Sequence, residues 1–235
     1  MYKALFFDID DTLLNFTLCS QSALSKAFKH FDLPYDESTY QLFRKIDSPL
    51  WVKQKQGLIS VQDAMRIRFI TLFDRLSITI DREKFQSRFQ ENLALEYILE
   101  PGAFEVIRDL SSRFKLYAAS NAILTMQQSR LKLANLSSFF TDLYVSEEIG
   151  YDKPDRRFFE ECLRRSGLEN NEVLFIGDSL EADMQGAYNC HIPTCWYNPR
   201  KKENESGIKI DYMIESLSQL KEVRLMMKPN FSTDK

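Results

Sequence analysis

Three carboxylates within four positions, Asp8, Asp10 and Asp11, close the apolar run LFFDIDDTLL at residues 5 to 14. The run reads as a buried strand, and unpaired carboxylates clustered at its end are costly unless a cation sits among them. An acidic surface turn is the other reading, because Asp is common at strand ends and helix caps. Groups of matching chemistry recur further along: Ser120 and Asn121 in AASNA, Lys153 in GYDKPD, Asp178 and Asp183 in GDSLEAD. Carboxylates, a hydroxyl and an ammonium form an inventory for holding a metal and a phosphate. Ionised, Asp8, Asp178 and Asp183 carry three negative charges, and a phosphate monoester brings roughly two more. One lysine cannot balance them. A divalent ion is required, and oxygen ligands with few histidines favour Mg²⁺.

These groups stand just past short apolar runs that predict strands at 3 to 8, 115 to 120, 142 to 146, 172 to 177 and 192 to 197. Helical patterns at 102 to 113, 124 to 134, 155 to 166 and 181 to 189 alternate with them. The expected fold is α/β, a Rossmann-like parallel sheet with helices on both faces. In such a sheet ligands bind outside the carboxyl ends of the strands, so residues scattered in sequence converge. Between the first two strands the texture changes: apolar residues at helical spacing fill 22 to 31, 61 to 76 and 81 to 98. The segment is far longer than a crossover needs and predicts an inserted helical lid. The expected division is a core of 1–15 and 99–228, a helical cap of 16–98, and a frayed tail at 229–235.

Composition narrows the partners. The 235 residues include 31 Lys and Arg against 34 Asp and Glu, a net charge of −3 with no electrostatic footprint for a nucleic-acid polymer. A small-molecule phosphate ester is favoured. Four cysteines without a CxxC pair and two histidines supply a zinc site poorly and read as small buried residues. No apolar run approaches a membrane span, and the chain reads as soluble, reduced and cytoplasmic.

DIDDTLL, AASNA, DKPD and GDSLEAD resemble, in order and spacing, the four motifs of the haloacid dehalogenase (HAD) superfamily. The resemblance covers essentially the whole sheet domain and implies roles. Asp8 would be the nucleophile that forms an aspartyl-phosphate, and Asp10 the general acid and then base, ligating Mg²⁺ through its backbone carbonyl. Ser120 and the backbone amide of Asn121 would bind phosphate oxygens, and Lys153 would neutralise the nucleophile and the phosphoryl group. Asp178 would ligate the metal directly, and Asp183 would position metal-bound water or the lysine. An acid in a first helical turn is also explained by the helix dipole.

An acid at Asp10 separates the chain from the dehalogenases of the superfamily, which lack one, and points to phosphate chemistry. DSPLWVKQKQGLIS at 47 to 60 resembles a segment of the pyrimidine 5'-nucleotidases, as do VSEEIGYDKPD at 145 to 155 and PTCWYN at 193 to 198. That reading is the first expectation; Trp51 or Phe43 then stacks on a base, although aromatics at this spacing also pack a small lid core. Sugar or other small phosphate esters are the alternative substrates. A catalytically silent phosphometabolite binder is the remote one, opposed by the presence of both nucleophile and acid.

Overall fold

The computed structural model describes residues 2–221. Six strands form one all-parallel sheet: β1 (Ala4–Phe7), β2 (Lys115–Ser120), β3 (Phe140–Val145), β4 (Val173–Gly177), β5 (Thr194–Tyr197) and β6 (Tyr212–Ile214). Their order is β3-β2-β1-β4-β5-β6. β1 sits centrally, in register with β2 (Phe7 opposite Ala118) and with β4 (Phe7 opposite Ile176). The order reverses at β1, which creates the crevice where ligands bind in such sheets. Alternation along the strands splits the core between the two faces: Leu5 and Phe7 point into one buried cluster, Ala4 and Phe6 into the other. The helices α5 (Ala103–Ser111), α6 (Leu124–Leu133), α7 (Ser146–Ile149), α8 (Arg156–Ser166) and α9 (Gln185–Asn189) connect the strands.

Between β1 and β2 run four helices, α1 (Phe16–His30), α2 (Glu37–Lys55), α3 (Val61–Leu76) and α4 (Arg82–Leu93). They enclose a core of their own, with Phe28, Phe43, Phe69, Phe73, Phe85 and Phe89 fully buried. Each such side chain contributes about 1.5–3 kcal/mol by leaving water. Edge-to-face contacts such as Phe73 on Phe85, 4.7 Å between centroids, add to it. Two linkers join this bundle to the sheet side by side: Asn15 donates to the Ile98 carbonyl at 2.8 Å and Glu100 to the Leu13 carbonyl at 2.9 Å.

Several sequence expectations need correction. α1 starts at Phe16 rather than near 22, because Asn15 caps it by accepting from the Leu18 amide. α4 stops at Leu93 rather than 98, where the chain turns into the return linker. α2 matches none of the helical stretches expected from periodicity; Pro49 inside it costs one backbone bond, and packing of Tyr40, Phe43 and Leu50 outweighs that loss. β6, three residues after the loop at 198 to 209, is too short to give a periodic signal. The expected tail at 229–235 lies outside the described residues.

Candidate active site

β1 delivers Asp8 to the carboxyl edge of the sheet, where its amide donates to the Ile176 carbonyl of β4 at 2.9 Å. Asp10 and Asp11 follow in a tight turn. Asp11 takes a left-handed backbone conformation (φ 58°), which Asp tolerates better than most residues. Its amide donates to the Leu14 carbonyl at 2.7 Å and its carboxylate accepts from the Phe16 amide at 3.0 Å. The third acid of the opening cluster therefore builds the turn and starts α1. Buried Thr12 points its hydroxyl back at Asp8 Oδ2, 3.4 Å away.

Lys153 binds the scattered carboxylates together. Only 2% exposed, its ammonium donates to Asp8 Oδ1 at 2.6 Å, to Asp183 Oδ1 at 2.7 Å and to the Ala119 carbonyl at 2.8 Å. Those three acceptors use all three of its protons. Burial alone would lower its pKa, but Asp183 and Asp8 more than offset it and hold the ammonium charged. The Asn121 side chain clamps the lysine's backbone, accepting from its amide at 2.7 Å and donating to its carbonyl at 2.8 Å.

On the far side, β4 ends at Gly177 and Asp178, and a π-helical turn, Leu180–Met184, leads into α9. This turn brings Asp183 back against the strand end, where Oδ2 accepts from the Ser179 amide at 3.1 Å. A methyl group on Gly177 would stand 2.6 Å from the Asp183 carboxyl carbon, so the approach requires glycine there. Carboxylate oxygens of Asp8, Asp178 and Asp183 lie within 4.8 Å of one another. Burial pushes the Asp8 carboxyl up against the pull of Lys153. Burial, then the neighbouring Asp183 and Asp8, pushes Asp178 well above the ordinary range. Three carboxylates against one ammonium leave the cluster electrostatically unsatisfied, and its all-oxygen donors suit a hard divalent cation. Asp183, with both oxygens engaged, is the least available to ligate one.

Asp10 belongs to a second network. Arg130 Nη1 donates to its Oδ1 at 2.6 Å and Gln127 Nε2 to its Oδ2 at 2.8 Å. The same Gln127 amide donates to Ser120 Oγ at 2.9 Å. Neither Gln127 nor Arg130 was a candidate from the sequence; a polar and a charged residue at i and i+3 of a helix carry no signal until the elements around α6 are in place.

The two networks open on one cavity of about 410 Å³ between sheet and bundle. Asp8, Asp10, Ser120, Asn121, Lys153, Asp178 and Asp183 line it from the sheet, and Asp47, Trp51, Lys55 and Arg68 from the bundle. Trp51 Nε1 donates to Asp47 Oδ1 at 3.0 Å, which fixes the indole beside the cavity. Lys55 reaches across to Ser179 Oγ at 2.8 Å. Phe43 does not reach the cavity: it is fully buried and stacks on Phe69 at 5.8 Å, so packing accounts for it.

Fold, cavity and acidic cluster define a hydrolase of the HAD type, and the family comparison agrees. Residues 2–191 match the model of haloacid dehalogenase-like hydrolases, and the chain belongs to that family. It is 33% identical over 221 residues to the pyrimidine 5'-nucleotidase PynA of Streptococcus pneumoniae, covering 93% of each chain. Identity to the pyrimidine 5'-nucleotidase YjjG of Escherichia coli is 29% over 220 residues, 93% of this chain and 96% of the other. Among solved structures, the HAD-hydrolase YfnB of Bacillus subtilis bound to magnesium superposes with a TM-score of 0.90 at 30% identity, covering 94% of this chain and 98% of that one. That structure reveals interdomain movement in YfnB.

Proposed function

We propose that the chain is a phosphomonoester hydrolase that works through an aspartyl-phosphate on Asp8 and takes pyrimidine nucleoside 5'-monophosphates. The observation that carries the reaction is the buried contact of Lys153 with both Asp8 and Asp183 on the cavity that Asp10 also faces. An ammonium fixed there screens the approach of an anionic nucleophile to an anionic phosphoryl group. Asp8 attacks phosphorus, the bond to the ester oxygen breaks, and Asp10 gives its proton to the departing alkoxide. Asp10 then takes a proton from water, whose oxygen displaces Asp8 and releases phosphate. Ser120 and the backbone amide of Asn121 hold phosphoryl oxygens, and Asp183 keeps Lys153 in place.

Asp8, Asp178 and the Asp10 carbonyl would hold Mg²⁺, which when bound neutralises the carboxylates and withdraws charge from the phosphoryl oxygens. The unbalanced cluster supports this choice, as does the magnesium in YfnB. Residues 16–98 act as a cap over the site, with Trp51 beside the base and Lys55 bridging to Ser179. The names of PynA and YjjG support the nucleotide reading. Among the described residues no helix is long and apolar enough to cross a membrane, and the four cysteines are free and buried, which suits a reduced cytoplasmic setting.

Phosphate release tests this directly: dUMP, dTMP and UMP against purine monophosphates and sugar phosphates, with Mg²⁺ present and Asp8→Asn as the blank. Pyrimidine monophosphates are expected to lead, and the variant to lose about 10³-fold or more, as expected for a missing nucleophile. Leading sugar phosphates would shift the substrate class and leave the chemistry; near-normal turnover by Asp8→Asn would overturn the mechanism.

A further inference from the structure

Arg130 is a fully buried cation set between the site and the cap linker, with Cys19 of α1 also beside it. Nη1 donates to Asp10 Oδ1 at 2.6 Å and to Gln127 Oε1 at 3.0 Å, while Nε donates to the Glu96 carbonyl at 3.0 Å. Glu96 is on the return linker, and its carboxylate accepts from Ser22 at 2.8 Å and Lys26 at 2.5 Å on α1. Burying an arginine for stability alone is a poor arrangement, since an apolar side chain of similar volume does as well or better. The geometry instead serves Asp10. Because the Gln127 carbonyl accepts from Arg130, its amide nitrogen must face the other way, toward Asp10 Oδ2 at 2.8 Å and Ser120 Oγ at 2.9 Å. Both carboxylate oxygens of Asp10 are thereby held, each by a different donor on α6. Ser120, already accepting from Gln127, keeps its own hydrogen to donate.

We propose that Arg130 and Gln127 are positioning residues that hold the Asp10 carboxyl in line with the leaving-group oxygen, anchored through Glu96 to the linker of the cap. This rests on the reading of Asp10 as the acid for the departing alkoxide. Neither residue touches substrate; both act through Asp10. Their removal leaves the nucleophile, Lys153 and the acidic cluster in place, and frees Asp10 to rotate away.

Leaving groups report on this. A p-nitrophenolate departs with little help from an acid, whereas an alkoxide needs it, and kcat/KM covers the steps through departure. The quantity to measure is the ratio of kcat/KM for a nucleoside or simple alkyl monophosphate to that for p-nitrophenyl phosphate. Arg130→Lys and Gln127→Leu are the variants, with Asp10→Asn as reference and thermal unfolding as the check on folding. The ratio should fall about 10-fold or more in each, part of the roughly 10²–10⁴ that general acid catalysis supplies. Any effect passing through Ser120 acts on both substrates and cancels. If Asp10→Asn lowers the ratio and the two α6 variants do not, the positioning proposal is overturned while the acid assignment stands. If Asp10→Asn leaves the ratio unchanged, the acid assignment falls, and the proposal with it. Should Arg130→Lys fail to fold, Gln127→Leu decides the matter alone.

Discussion

Lys153 shows how one side chain organises the site: three acceptors from three separate stretches of chain, Asp8, Ala119 and Asp183, take its three protons. That arrangement depends on a residue with no side chain at all. Gly177→Ala would place a methyl group against the Asp183 carboxyl, and the carboxylate would have to leave Lys153. The expected outcome is at least a 10-fold loss of phosphatase activity with a stability loss of about 1–3 kcal/mol, the usual cost of overpacking. Steady-state rates and urea unfolding measure both; unchanged activity would mean that Asp183 is not needed to hold the lysine. At this scale the arrival of Asp8, Asp10, Ser120, Lys153 and Asp178 on one cavity was legible, because their types and their places after strands constrain them. Arg130 and Gln127 were not, because a charged residue on a helix reads as solvent-facing until the neighbouring elements are packed around it.

At the scale of elements, the cap depends on its helix starts. The carboxylates of Asp36, Asp63 and Asp81, at the starts of α2, α3 and α4, are held below the ordinary value of 3.8. Hydrogen bonds do this: from the Ser38 hydroxyl to Asp36, from the Ser60 hydroxyl to Asp63 and from the Lys84 amide to Asp81. A folded-state pKa lowered in this way gives stability that is present above 3.8 and is lost as pH falls through the depressed values. Asp178 has the opposite sign: raised by burial, its contribution is present at low pH and lost as pH rises. Asp155, Glu161 and Glu172 of the sheet domain are held low in the same way, by Arg157, Arg164 and Lys3, so acid should loosen the cap and the sheet flank together. Hydrogen exchange, corrected for intrinsic rates, is expected to show protection of α2 to α4 falling below pH 3.8; protection unchanged through that range would contradict this. α3 was readable to the residue, since Ser60 and Asp63 form a capping box before a periodic run. α2 was not, because Pro49 interrupts the helical pattern and the packing of Tyr40, Phe43 and Leu50 that outweighs it is tertiary.

For the whole molecule, the decisive feature is that the strand order puts β2, β1 and β4 side by side, so their carboxyl ends share one edge. The cost of collecting Asp8, Asp178 and Asp183 there should be relieved by a divalent ion that binds the folded chain alone. At about 100 times its Kd, Mg²⁺ then adds roughly 2.7 kcal/mol, which raises Tm by several degrees in a chain of this size. Thermal unfolding with Mg²⁺ and with EDTA should show that shift in the parent chain and none in Asp178→Asn, with activity lost in EDTA and restored by the metal. An equal shift in Asp178→Asn would remove it from the metal site. The sequence by itself determined the α/β class, five of the six strands and the order of the chemical groups, because strand burial and ligand chemistry are written locally in residue type and spacing. Only the tertiary structure decided that Asn121 clamps Lys153 and that Asp11 serves the turn. It also placed Phe43 in the cap core with Trp51 at the cavity, and set Arg130 and Gln127 behind Asp10. Those roles depend on which elements meet, and contacts between residues dozens of positions apart have no local signature.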